Sequence, residues 1–278
     1  MCRPPNLADM LSLVLLCLLT QAAAADSLEG VRQETSEGRP TVPSKSHRHN
    51  HCDDDESDFL SELLGPPLLF AFTSPWWLPA SAIGDEYKYD ADFLAYPYQF
   101  DREGYLSIGL DNPPDFDGAG LWFSSEYGTD FGGLHRAGQR LRIDTSTRFG
   151  LDAEFNSWFE DVSGGTDTLF TGDANLVYRF AQSEQVQWHS GLGLNWLGED
   201  HQSEFGFNFT YGVTMTPAKP YVFETTFDIG TLGSASLFHV HSSAGLIWKQ
   251  LEVFTGYDYL RIGHQDLHGP VFGCRLWF

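Results

Sequence analysis

From about residue 93 to the C-terminus, apolar and polar residues alternate with a period of two over most of the chain. The longest run covers 141–155. Leu141, Ile143, Thr145, Thr147, Phe149, Leu151, Ala153 and Phe155 share one side, and Arg142, Asp144, Ser146, Arg148, Gly150, Asp152 and Glu154 the other. A helix would scatter both sets around its circumference, whereas a pleated strand sorts them onto two faces. The same alternation returns over 121–131, 170–180, 186–196, 205–215, 221–229, 238–248, 251–259 and 272–278, which makes nine strands. A tenth, weaker candidate runs through Tyr96, Tyr98, Phe100 and Leu106 between residues 94 and 108. The pattern predicts an all-β, up-and-down antiparallel barrel of eight to ten strands over 93–278.

Alternation does not say which face looks inward, and a soluble lipid carrier would bury the apolar one. Volume argues against that arrangement. Nine or ten strands with several large apolar side chains each overfill a small barrel, while a face rich in Gly, Ser, Thr and Asn suits a narrow lumen. Lysine usage agrees, because the only lysines between 119 and 278 are Lys219 and Lys249, both at predicted turns. A water-facing strand surface would carry more of them. The apolar face is therefore expected to point outward, to lipid. With 38 acidic against 16 basic side chains and a net charge of −22, the chain lacks the basic patches that grip nucleic acid. Nothing in the sequence calls for a cofactor.

The N-terminus reads as a secretory signal over residues 1–25: Arg3, an apolar stretch over 10–19, and the small residues Ala22 to Ala25. The stretch is too short to span a membrane, which takes roughly 20 residues. Residues 26–58 are polar and are expected to be disordered. Within them His47, His49, His51 and Cys52 precede three aspartates, a set of donor types suited to Zn²⁺ or Cu²⁺. Residues 59–92 are apolar but interrupted by Pro66, Pro67, Pro75 and Pro79. They predict a short amphipathic helix, with Phe59, Leu60, Leu63 and Leu64 on one face, at a membrane interface or over a barrel mouth. Trp76 and Trp77 suit such a boundary. Cys52 and Cys274 show no sign of pairing.

Signal, amphipathic hairpins and a final strand ending on an aromatic residue together resemble the bacterial outer-membrane β-barrels of small, porin-like architecture. In that family the alternating apolar residues up to the terminal Phe are read by the barrel assembly machinery, and Phe272, Leu276 and Phe278 match those positions. The resemblance implies an integral protein of the outer membrane of a Gram-negative-type bacterium, in contact with the bilayer, with an even strand number. Ten strands are then preferred. It also implies long outward loops near 158–167, 198–203, 231–236 and 263–269, with short turns at 182–185, 217–220 and 249–250.

On the polar face Arg142, Asp144, Arg148, Asp152, Glu154, Asp173, Arg179, Glu224, Asp228, Glu252, Asp258 and Arg275 are expected to form a charge network across the lumen. Its surplus of carboxylates would alternatively suit a narrow cation path. The expected role is structural, adhesive or narrow-channel rather than enzymatic. Two catalytic alternatives were weighed. His241 and Ser243, with Glu252 on the next strand, are similar to the acyl-transfer residues of outer-membrane lipid A deacylases, although parity turns them into the lumen. His201, His264 and His268, near Asp200 and Asp266, resemble the rim residues of omptin proteases.

Overall fold

A computed structural model describes residues 27–36, 73–85, 90–109, 116–199 and 202–278. Two short strands, β1 (Ala91–Phe93) and β2 (Leu106–Ile108), form a separate two-stranded sheet, with a single bridge from Phe93 to Asp117. Ten more form a closed barrel: β3 (Ala119–Thr129), β4 (Leu134–Thr145), β5 (Phe149–Val162), β6 (Gly165–Gln182), β7 (Val186–Glu199), β8 (Gln202–Met215), β9 (Tyr221–Leu232), β10 (Ala235–Trp248), β11 (Leu251–Ile262) and β12 (Gln265–Trp277). Each pairs antiparallel with its sequence neighbour. β12 returns to β3, with Cys274 opposite Ser125, and closes the ring. The even count brings both ends of the barrel to one rim, called here the turn end; the other is the loop end.

The tenth barrel strand is not the one that the sequence pattern offers. The run 141–155 is a hairpin, half β4 and half β5, joined through residues 146–148 with Arg148 at φ 70°. Asp144 faces Gly150 across it. A three-residue loop preserves parity, so outward Thr145 is followed by outward Phe149 and the alternation passes through the turn unbroken. Residues 94–108 leave the barrel, and β3 begins it at Ala119 rather than near residue 93. The long outward loops are also absent among the described residues. Their polar sequences continue the strands, and 163–164, 233–234 and 263–264 are two-residue hairpins.

Phe123, Phe149, Leu176, Leu192, Phe207, Phe227, Leu246, Val253 and Phe272 are exposed on the outer wall, one on every barrel strand except β4. Arg140, Asp152, Asn175, Asn208, Glu224 and Asp258 are buried within it. The apolar face is outward and the charged face inward, as volume and lysine usage require.

Two helices accompany the barrel. Residues 27–36, expected as part of a disordered tail, form the helix Ser27–Ser36 across the loop end. Its ten residues are mostly polar and too few to be stable alone. Leu28 and Val31 gain full burial on Leu134, Trp158, Leu197, Leu232 and Ile262, which tertiary contact alone supplies. A second helix, 73–83, packs outside the wall, with Trp76 beside Phe209 and Tyr211. Pro79 has no N–H and so deprives the Pro75 carbonyl of its helical donor. The Tyr211 hydroxyl donates to that carbonyl instead, at 2.8 Å. Phe59, Leu60, Leu63 and Leu64, expected to form a helix, lie outside the described residues, as do the signal segment and the His47, His49, His51 and Cys52 tract. No described helix is long and apolar enough to cross a membrane.

Candidate functional site: a charged lumen closed at both mouths

The inward rows of β3 to β5 and β9 to β12 place guanidiniums between carboxylates. Arg140 donates to both oxygens of Asp152, at 2.8 and 2.5 Å, and pairs with Glu224 at 3.2 Å. Arg142 bridges Asp144, two residues along its own strand, and Asp152 at 3.1 Å. Arg275 joins Glu224 to Glu252, and Trp277 Nε1 donates to Glu252 at 3.0 Å. Toward the loop end Arg136 contacts Glu126, Asp258 and Glu154. His239 bridges Asp228 at 3.4 Å and Asp258 at 2.9 Å, and His241 meets Glu126 at 3.1 Å. Asn175 and Asn208 hydrogen-bond Asp173 and Asp228. Two cavities within this network measure about 10 and 20 Å³, room for about one water each.

Each mouth has its own cover. At the loop end Glu160 caps the helix Ser27–Ser36: it accepts from the backbone N–H of Ser27 and of Leu28, both at 2.9 Å, and from the Ser27 hydroxyl at 2.6 Å. A carboxylate there meets unpaired amides and the positive end of the helix dipole. Arg32 makes a two-point contact with Asp167, at 2.5 and 2.7 Å, and reaches Glu199 at 2.8 Å. The hydrogen-bonded Asp167 raises the Arg32 guanidinium above its already high range. Glu34 meets His264 at 2.9 Å across the rim.

At the turn end β1 and β2 form an aromatic cap. Phe93, Tyr105, Trp277 and Trp122 contact one another in that order, tilted or edge to face, with ring centroids 4.8 to 6.2 Å apart. Gly120 makes this possible, because a Cβ there would collide with the Phe93 ring and the Tyr105 hydroxyl. Arginines of the lumen lie under the cap: Arg275 sits 4.2 Å from the Trp122 ring and Arg179 4.9 Å from Phe93. Burial pushes the Tyr105 hydroxyl well above the usual phenol range.

Of the expected lumen set, Asp144, Asp152, Glu154, Asp173, Glu224, Asp228, Glu252, Asp258, Arg142, Arg179 and Arg275 face inward. Arg148 does not join them. As the turn residue between β4 and β5 it sits at the rim and makes a two-point contact with Asp85, beyond the outer helix, at 2.7 and 2.8 Å. His241, Ser243 and Glu252 all face the lumen but are not assembled: His241 binds Glu126, while Glu252 is held by Arg275 and Trp277. Across the β9–β10 ladder Ser243 faces Glu224. At the rim, His268 pairs with the Tyr257 hydroxyl, Asp266 with Tyr259 and His264 with Glu34, whereas His201 and Asp200 lie outside the described residues. Phe272, Leu276 and Phe278 are exposed on the outer wall.

Glu126, His241 and Asp258 bring ligand atoms within 4.8 Å of one another. Arg136 already supplies the positive charge between the two carboxylates, which makes this an ion-pair cluster rather than a metal centre. Arg136 and Arg140 are lumen residues that the sequence pattern does not single out. They precede the conspicuous run, and their strand neighbours His135, Ala137 and Gln139 supply no apolar alternation. The signal available was the arginines themselves, at 136, 140 and 142, all of one parity.

The fold and lumen thus define a closed ten-strand barrel with a polar core and an apolar exterior. Neither a family model nor a curated protein sequence matches the chain.

Proposed function

We propose that this protein is an integral outer-membrane β-barrel with a structural, non-conducting role at rest. One observation carries the reading: the charged groups are sequestered inside while Phe, Leu, Val and Ile side chains lie exposed around the wall. Surfaces of that kind are not kept in water by monomeric soluble proteins, and lipid is the solvent that rewards them. A soluble carrier would need an apolar cavity, and this interior is filled with ion pairs. Tyr127 with His135 and Tyr257 with His268 hydrogen-bond near the loop end, as amphipathic rings do at a membrane boundary. The covered mouths and single-water cavities favour a plug over a pore.

Cell fractionation, with a heat-modifiability gel of detergent-extracted protein, tests the location: the unboiled protein should run as a compact species from the outer-membrane fraction. Recovery in the soluble fraction without detergent would reject it. In planar bilayers the full chain should be silent, and steady conductance would return the narrow-channel reading.

A further inference from the structure

A cavity of about 290 Å³ opens at the turn-end rim between the cap and the barrel, and Lys219 and Lys249 both line it. Only four lysines occur in the whole chain, and these are the only two on the barrel. Asp101 also lines it, 2.9 Å from the Lys219 ammonium. The three charges leave one net positive charge, matched to a single phosphodiester. Trp248, 75% exposed, and Phe100, 63% exposed, are among the apolar and aromatic residues of the lining, and the Lys249 ammonium lies 5.6 Å from the Trp248 ring.

The backbone here is held against preference. Of the six described non-glycine residues with positive φ, Tyr98, Phe100, Asp101 and Lys249 line this cavity. The barrel supplies its own control. Two-residue hairpins at 233–234 and 263–264 begin with Gly233 (φ 57°) and Gly263 (φ 59°), whereas the hairpin at 249–250 begins with Lys249 at φ 55°. Glycine takes that conformation freely and lysine does not. Strain of this kind persists where a side chain is needed at the position.

We propose that this cavity binds the headgroup of an anionic phospholipid at the turn-end membrane interface, its phosphate between Lys219 and Lys249 and its acyl chains along the outer wall below Trp248. The inference rests on the membrane reading above. Lipid is favoured over a free anion because Trp248 both lines the cavity and is exposed on the wall, with the exposed Leu251 opposite it on β11, so that both would lie along the chains of a bound lipid.

The test uses the full mature chain in vesicles of equal phosphatidylglycerol and phosphatidylcholine, with retained lipid read by native mass spectrometry. One phosphatidylglycerol should be retained preferentially, and the Lys219→Gln/Lys249→Gly pair should lower that preference about tenfold, as expected for a lost charge-assisted contact. Lys249→Gly relieves the strained turn, so the fold should survive it, and the unboiled gel mobility checks this. Equal retention of both lipids, or an unchanged preference in the folded variant, overturns the proposal and leaves the membrane reading standing. Displacement of the lipid by inorganic phosphate overturns the lipid as ligand. Failure of the wild-type chain to enter vesicles overturns the membrane reading and this inference with it.

Discussion

At the loop end, a ten-residue helix belonging to no strand is held across the opening by one buried carboxylate, Glu160, and a partly buried arginine, Arg32. At the turn end, a cap that lies just ahead of β3 in sequence is held by tilted and edge-to-face rings, Phe93 to Tyr105 to Trp277, over two arginines. The first cover depends on directional bonds from a segment far away in sequence. The second depends on buried area and on chain continuity. A seal of the first kind is released by changing one charge, and a seal of the second kind by removing volume.

The largest effect is expected at the aromatic cap. Phe93 is fully buried, and Phe93→Ala should cost about 3–5 kcal/mol, the range for a truncated core aromatic. A urea titration of the refolded protein followed by gel mobility measures it. A loss well below that range would mean that the cap contributes little and that the two covers are alike. Glu160→Ala comes next. It strips three donors of their acceptor, two of them backbone amides at a helix N-terminus, and should cost about 1–3 kcal/mol. Limited trypsin digestion reports it locally: cleavage after Arg32 should be slow in the parent and fast in the variant, while the turn end stays protected. Equal rates would show that Leu28 and Val31 hold the helix without the carboxylate.

The difference between the covers also explains what the sequence could reveal. Face polarity was legible, because a period of two survives any local irregularity and lysine usage broke the symmetry between the faces. Parity puts Asp152, Glu224 and Arg275 on the inward face, but it also puts Arg148 there, which sits in a turn at the rim instead. Turns were harder: the 146–148 loop keeps parity, so the eye joins β4 to β5 and seeks the missing strand at 94–108. Neither cover was legible in its observed form. The helix Ser27–Ser36 has only Leu28 and Val31 to bury, and its cap, Glu160, lies 133 residues away. The cap aromatics alternate like strand residues, and only the glycine at 120 hints that another chain segment approaches that closely. Long-range partners leave no periodic mark.

The smallest expected effect separates charge from shape within the helix seal. Arg32 contacts Asp167, Glu199 and Glu29, yet its side chain is 17% exposed and Glu199 is 35% exposed. Water and salt reach these pairs, so Arg32→Gln should cost no more than about 1 kcal/mol. Salt supplies a sharper discriminator than the size of the loss, since at physiological ionic strength charges are screened over about 8 Å. Hydrogen exchange at the amide of Val31 should quicken with added salt in the parent chain, with the Leu28 amide, bound by Glu160, as the reference. In Arg32→Gln it should begin faster and then respond less to salt, because the ionic part is already gone. The Glu160 contact is buried and should keep its protection in both. If salt accelerates exchange equally in the two proteins, the salt-sensitive attraction lies elsewhere on the rim, with Glu34 and His264 as the remaining pair across it, and the helix is held at its C-terminal end as well as at Glu160.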